Sequence, residues 1–208
     1  MPNAFSDDYA YMQMAKNLFD HGILTVNDQI MPFPPLYSII ISPLYLLKDT
    51  QIIYFLIKVI NSFISSAIIF PIYFLAKDFM DEKASLKIAS LIALIPSIFI
   101  FTFYVMSENL FFLLFTLSIY FIYKSITLDK KIYVLLAGFI VGLSYLTRLL
   151  GLSLFFLELF FLFYFLITKN YSSSKKIFAV GLVTVLTILQ LLIRNGLNYG
   201  FTVTSLFG

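Results

Sequence analysis

Apolar runs longer than about 18 residues recur along this chain, a length that a helix needs to cross a bilayer and that a soluble core rarely requires. The sequence predicts six full spans in all, at about 51–77, 86–105, 109–124, 132–149, 152–168 and 177–193. Composition agrees, because 61% of the 208 residues are hydrophobic and 12% are charged, against about half and a quarter in ordinary globular domains. No soluble fold of this size hides so many Phe, Ile and Leu side chains. The expected fold class is therefore all-α, a polytopic transmembrane helical bundle. The chain has no cysteine, so disulfide and thiolate chemistry are excluded, and its single histidine, His21, rules out a histidine-rich metal site within it. A net charge of only +3 reports on topology and not on a nucleic-acid partner.

The lysines orient the bundle. Lys77, Lys83 and Lys87, Lys124, Lys130 and Lys131, and Lys169, Lys175 and Lys176 lie in or beside three connecting loops, nine in all. The other side holds Lys16, Lys48, Arg148, Arg194 and a snorkelling Lys58. By the positive-inside rule the nine-lysine side is cytoplasmic, which sends the N-terminus, Glu108, Arg148 and Arg194 to the extracytoplasmic face of a cell membrane. Residues 1–50 form the outer loop of this scheme and 51–208 the six-span bundle. Within the loop, Asp7 to His21 reads as an amphipathic helix closed by Gly22. Leu36–Leu47 is apolar but reaches only about 18 Å as a helix, so it is an interfacial or re-entrant segment. A translocated N-terminus without a preceding span implies that Met1 is not the natural start, and the expectation is a fragment at both ends.

Ionisable residues are costly near lipid and mark the candidate site. Asp7, Asp8, Tyr11, Glu108, Arg148, Arg194 and Asn195 are scattered in sequence but fall on the same predicted face. Arginine forks match phosphate oxygens, and an acid beside them can take a proton from an attacking hydroxyl or hold a divalent cation. Each has a structural alternative. Ser6-Asp7-Asp8 is also what an N-cap with dipole-matched acids looks like, although Asp7, Tyr11 and Ala15 share one helix face. Glu108 suits a solvated loop, and the arginines suit span ends that snorkel to the interface. Glu158 falls mid-span and reads as a neutral, hydrogen-bonded acid or a cavity-facing one. Pro71 and Pro96 are expected to kink their helices.

The order of motifs goes further. Asp7-Asp8-Tyr9-Ala10-Tyr11 with Ala15 and Gly22, Pro34-Pro35-Leu36-Tyr37, Asn61, Pro96 followed by Ser107-Glu108-Asn109-Leu110, Gly138 and Gly142 with Leu143, Leu146 and Arg148, and Arg194-Asn195 before Gly200 follow one another along nearly the whole chain. In this order they resemble the GT-C membrane glycosyltransferases, in the branch of dolichyl-phosphate-mannose–protein mannosyltransferases and bacterial lipid A aminoarabinose transferases.

The resemblance implies a GT-C-like bundle whose extracytoplasmic first loop carries short juxtamembrane helices. It also implies transfer of a sugar, with inversion, from a polyprenyl- or dolichyl-phosphate donor to a protein, lipid or glycan acceptor. Asp7 and Asp8 are then the catalytic acids, Asp7 as general base and Asp8, where many members have glutamate, in support. Tyr11, Glu108, Arg148, Arg194 and Asn195 are substrate-binding. No cofactor is expected with certainty; a divalent cation is the open option, without assigned metal ligands. The alternatives are a transporter or flippase for an anionic lipid-linked head group, or a non-catalytic membrane subunit. The lack of an internal repeat counts against transport.

Overall fold

The computed structural model describes residues 6–27, 29–30 and 33–199. The chain divides into two compact units, Met1–Leu113 and Leu114–Gly208. It is helical almost throughout, with a single two-residue antiparallel ribbon, β1 (Thr25–Val26) and β2 (Gln29–Ile30), among the described residues. Four helical stretches are long and apolar enough to cross a membrane: Thr50–Ala76, Glu108–Thr127, Leu149–Ile167 and Tyr171–Asn198.

The first unit opens with α1 (Ser6–His21), which Gly22 ends by adopting φ 72° and returning its N–H to the Leu18 carbonyl. Only glycine takes that conformation without strain. Apolar Leu36–Leu47 does not cross as one helix. It divides into α2 (Leu36–Ile41) and a 3-10 turn (Ser42–Leu47) with Pro43 at its start, and both pack against α1. Asp49 then caps α3 (Thr50–Ser66), its Oδ1 accepting from the backbone of Gln51 and Ile52 at 2.8 and 3.2 Å.

Prolines set the next two interruptions. Pro71 has no N–H for the carbonyl four residues back, at Ala67, and α3 gives way there to α4 (Ile69–Ala76). At Pro96 the effect is larger than the kink expected from the sequence. Ile95 is extended, as a residue before proline prefers. The predicted 86–105 span is consequently two helices, α5 (Glu82–Ala93) and α6 (Pro96–Phe101), neither long enough to cross alone. Glu108, expected in a solvated loop, is the first residue of α7 (Glu108–Thr127), where its charge meets the positive end of the helix.

The second unit holds α8 (Lys131–Thr147), a 3-10 turn (Leu149–Gly151), α9 (Leu152–Ile167) and α10 (Tyr171–Tyr199), with α10 packed on both α8 and α9. Ile122, Ala137, Val141, Leu154, Ile177 and Val180 form its core. Elsewhere the apolar surface faces outward. Phe156, Phe160 and Phe163 stand exposed on one face of α9, as lipid-facing residues do. The α8–α10 contact rests on two glycines one turn apart. A Cβ on Gly138 would lie 2.5 Å from the Val180 carbonyl oxygen, and one on Gly142 would lie 2.4 Å from the Thr187 Cβ. This is the small-residue packing by which helices approach closely in lipid, where burial of apolar surface supplies little drive. The same pairs show that α8 and α10 run parallel, since later residues of one meet later residues of the other.

Gly142→Ala should therefore lower thermal stability in detergent, by roughly 1–3 kcal/mol for an overpacked site. Gly181→Ala is the matched control, because its Cβ would meet the Glu158 Oε2 at an ordinary 3.6 Å. Equal melting of the two variants would show that the α8–α10 contact is not close-packed.

Candidate active site

The acids sit at the head of α1, which is fastened by buried polar contacts. The Tyr11 hydroxyl and Ser107 Oγ are 2.9 Å apart, and the Tyr11 carbonyl accepts from Ser38 Oγ at 3.2 Å. The Tyr11 and Tyr37 rings meet edge to face, with centroids 5.2 Å apart. Tyr45 on the 3-10 turn donates to the Met12 carbonyl at 2.8 Å. Beneath these, the Tyr37 hydroxyl donates to Asn61 Oδ1 at 3.1 Å, and Asn61 Nδ2 donates to the Tyr104 carbonyl at 2.9 Å. Asn109 Nδ2 donates to the carbonyls of Phe101 and Met106, and its Oδ1 accepts from Ser65 Oγ. The two asparagines thus satisfy carbonyls released where the helical run stops after Phe101. Asn61, Ser107 and Asn109 are all fully buried.

Asp7 and Asp8 are adjacent but differ in setting. Asp7 is half-buried, whereas Asp8 is fully buried. Neither Asp8 oxygen has a well-aligned hydrogen-bond donor among the described residues. Its carboxyl is held above the usual aspartate range, chiefly by burial and further by the negative charges of Asp7 and Glu108; the nearby Val105 backbone amide acts in the opposite direction. Tyr11 and Glu108 belong to this same unit, so four of the seven candidate residues converge on the α1 head and the start of α7.

Arg148, Arg194 and Asn195 lie in the second unit. Arg148 is the extended residue that closes α8, as the sequence suggests. The turn after it needs Gly151, where any Cβ would fall 2.4 Å from the Tyr145 backbone nitrogen. Arg194 does not end its span, because α10 continues to Tyr199. The parallel register of α8 and α10 still puts both arginines toward the same end of the unit. Arg194 donates through Nε and Nη2 to Asn195 Oδ1 at 3.2 and 3.0 Å. Asn195 is fully buried, and its Nδ2 has no hydrogen-bond acceptor among the described residues. The spare amide donor of Asn195, buried beside a guanidinium charge, is suited to an anion. Gly200, the last motif residue, lies outside the described residues. Among the described residues no group of three His, Cys, Asp or Glu side chains is arranged to hold a metal ion.

Tyr37, Asn61, Ser107 and Asn109 entered the sequence reading as motif residues without an assigned role, and Ser65 not at all, although they fasten the acid-bearing helix. The available signal was their polarity within or beside apolar runs, where a polar group must find a partner.

Apolar crossing helices with outward-facing phenylalanines, and polar clusters at helix ends, define a multi-pass membrane protein. Residues 33–193 match the dolichyl-phosphate-mannose-protein mannosyltransferase family, and the chain belongs to that family of membrane glycosyltransferases. The matched stretch contains Glu108 and Arg148; Asp7, Asp8 and Tyr11 precede it, and Arg194 and Asn195 follow it. No curated protein and no solved structure matches the chain.

The raised Asp8 carboxyl has a consequence for stability. The folded state binds the proton more tightly than the unfolded chain does, so this contribution is complete below the unfolded value of about 3.9 and is lost as pH rises through the folded value. Asp8→Asn should raise the melting temperature at neutral pH, with the gain shrinking as pH falls toward 4. A variant less stable than the parent at pH 7 would mean that the Asp8 anion is stabilised where it sits.

Proposed function

We propose that the chain transfers a sugar from a polyprenyl- or dolichyl-phosphate donor to a protein, lipid or glycan acceptor at the extracytoplasmic face of the membrane, with inversion at the anomeric carbon. The acceptor oxygen bonds to that carbon opposite the phosphate, and the bond from carbon to phosphate oxygen breaks. The lipid phosphate leaves with the electron pair, and the acceptor proton passes to Asp7. Asp7 is the base because it is partly accessible at the head of a helix fastened by Tyr11, and this is the observation that carries the assignment. Asp8, buried with a raised carboxyl, supports the base or helps position the acceptor. Arg148, Arg194 and Asn195 bind the donor phosphate and stabilise the charge that builds on it as the bond breaks. Tyr11 and Glu108 complete the acceptor side.

Activity tests the residue roles. In native membranes supplied with a radiolabelled polyprenyl-phosphate sugar, Asp7→Asn keeps size and capping ability but should lose roughly 10²–10⁴-fold in turnover. Asp8→Asn should lose much less. Arg194→Lys forfeits the fork and should weaken donor binding by about 1.5–3 kcal/mol. Normal turnover by Asp7→Asn with Asp8→Asn inactive would move the base one residue along. Normal turnover by both would reduce the pair to a helix cap.

The side of the membrane is tested separately. Cysteines at the exposed positions Met80, Asp129 and Ser172 should be shielded from a membrane-impermeant thiol reagent in intact cells, and one at exposed Asn27 should label. The reverse pattern would turn the bundle over and place the acids in the cytoplasm.

A further inference from the structure

At the end of α8 and α10 opposite the arginines, four lysines line a single cavity of about 450 Å³: Lys130 and Lys131 at the start of α8, and Lys175 and Lys176 in the first two turns of α10. We propose that this cavity binds the phosphate headgroup of an anionic phospholipid in the adjoining leaflet. The cavity lies at the other end of α8 and α10 from Arg148 and Arg194, and the inference does not rest on the transferase reading.

Three observations carry it. First, the charges are incompletely balanced. Asp129 reaches Lys176 at 3.3 Å, but its side chain is 99% exposed, and such an open pair neutralises little. Second, helix stability does not explain the lysines. Cations at a helix start oppose the helix dipole, and neither α8 nor α10 has an acid in its first turn to offset them. The positive-inside rule accounts for the side on which they lie but not for their convergence on one cavity. Third, the cavity is two-toned. Val134, Leu135 and Ala179 line it a turn further along the same helices, toward the membrane interior. Ammonium groups above an apolar wall match a phosphodiester with acyl chains below it, as in basic pockets between membrane helices elsewhere.

The test uses the purified chain in non-ionic detergent, with bound phosphatidylglycerol or phosphatidylcholine counted by native mass spectrometry. The parent should retain phosphatidylglycerol preferentially. Combined Lys130→Gln, Lys131→Gln and Lys175→Gln should weaken that binding at least about tenfold, while Lys77→Gln, Lys83→Gln and Lys87→Gln, which remove equal charge elsewhere, should change it less than about twofold. Arginine at the three pocket positions should preserve binding. Should the triple glutamine variant misfold, Lys131→Gln and Lys87→Gln carry the same comparison. Equal loss from both sets, equal retention of phosphatidylcholine, or displacement by millimolar inorganic phosphate would each overturn the proposal; the last would identify a free-phosphate site.

Discussion

In hydrocarbon, a backbone carbonyl or amide without a hydrogen bond costs several kcal/mol, and this penalty governs the chain wherever it departs from helix. Pro96 stops a helix that the apolar pattern alone would continue. The helical run resumes for only six residues, to Phe101. Carbonyls of Phe101, Tyr104 and Met106 are then left outside the regular ladder, and the buried amides of Asn61 and Asn109 take them up. Ser65 orients Asn109 in turn, and Tyr37 orients Asn61. The interruption and its repair belong together, since neither asparagine would be tolerated in an apolar setting without those acceptors.

That repaired segment leads to Ser107, to which Tyr11 is bonded, so the position of the acid-bearing helix follows from the helix break. The rigid support lies on α3 and at the start of α7, while Asp7 and Asp8 are carried on α1. Asp7 and Asp8 acquire different surroundings from this arrangement although they are neighbours. One retains access and the other is enclosed, its carboxyl raised chiefly by burial and further by the charges of Asp7 and Glu108.

The second unit solves a different problem. Three apolar helices in lipid gain little from burying more apolar surface, so they rely on close approach. Gly138 and Gly142 permit it, and Thr184, donating to the Glu158 Oε1 at 3.0 Å, holds the mid-span acid against α10. Because α8 and α10 are parallel, their two ends carry different polar side chains. Arginines and a buried amide collect at one end, and lysines above an apolar wall at the other.

Helicity, the membrane setting and the family were legible in the sequence, because apolar runs and ordered motifs are properties of residue type and spacing. So was α1, whose glycine stop requires no distant partner. The 86–105 span was misjudged because hydropathy does not register the extended residue that a proline imposes before it, nor the asparagines elsewhere that make a break affordable. Arg194 was assigned to a span end because charge was taken as the stop, whereas helix hydrogen bonds carry α10 to Tyr199. What separates Asp7 from Asp8, and what gives Asn61 and Asn109 their purpose, is burial and partners distant in the chain. Those were decided only when the helices packed.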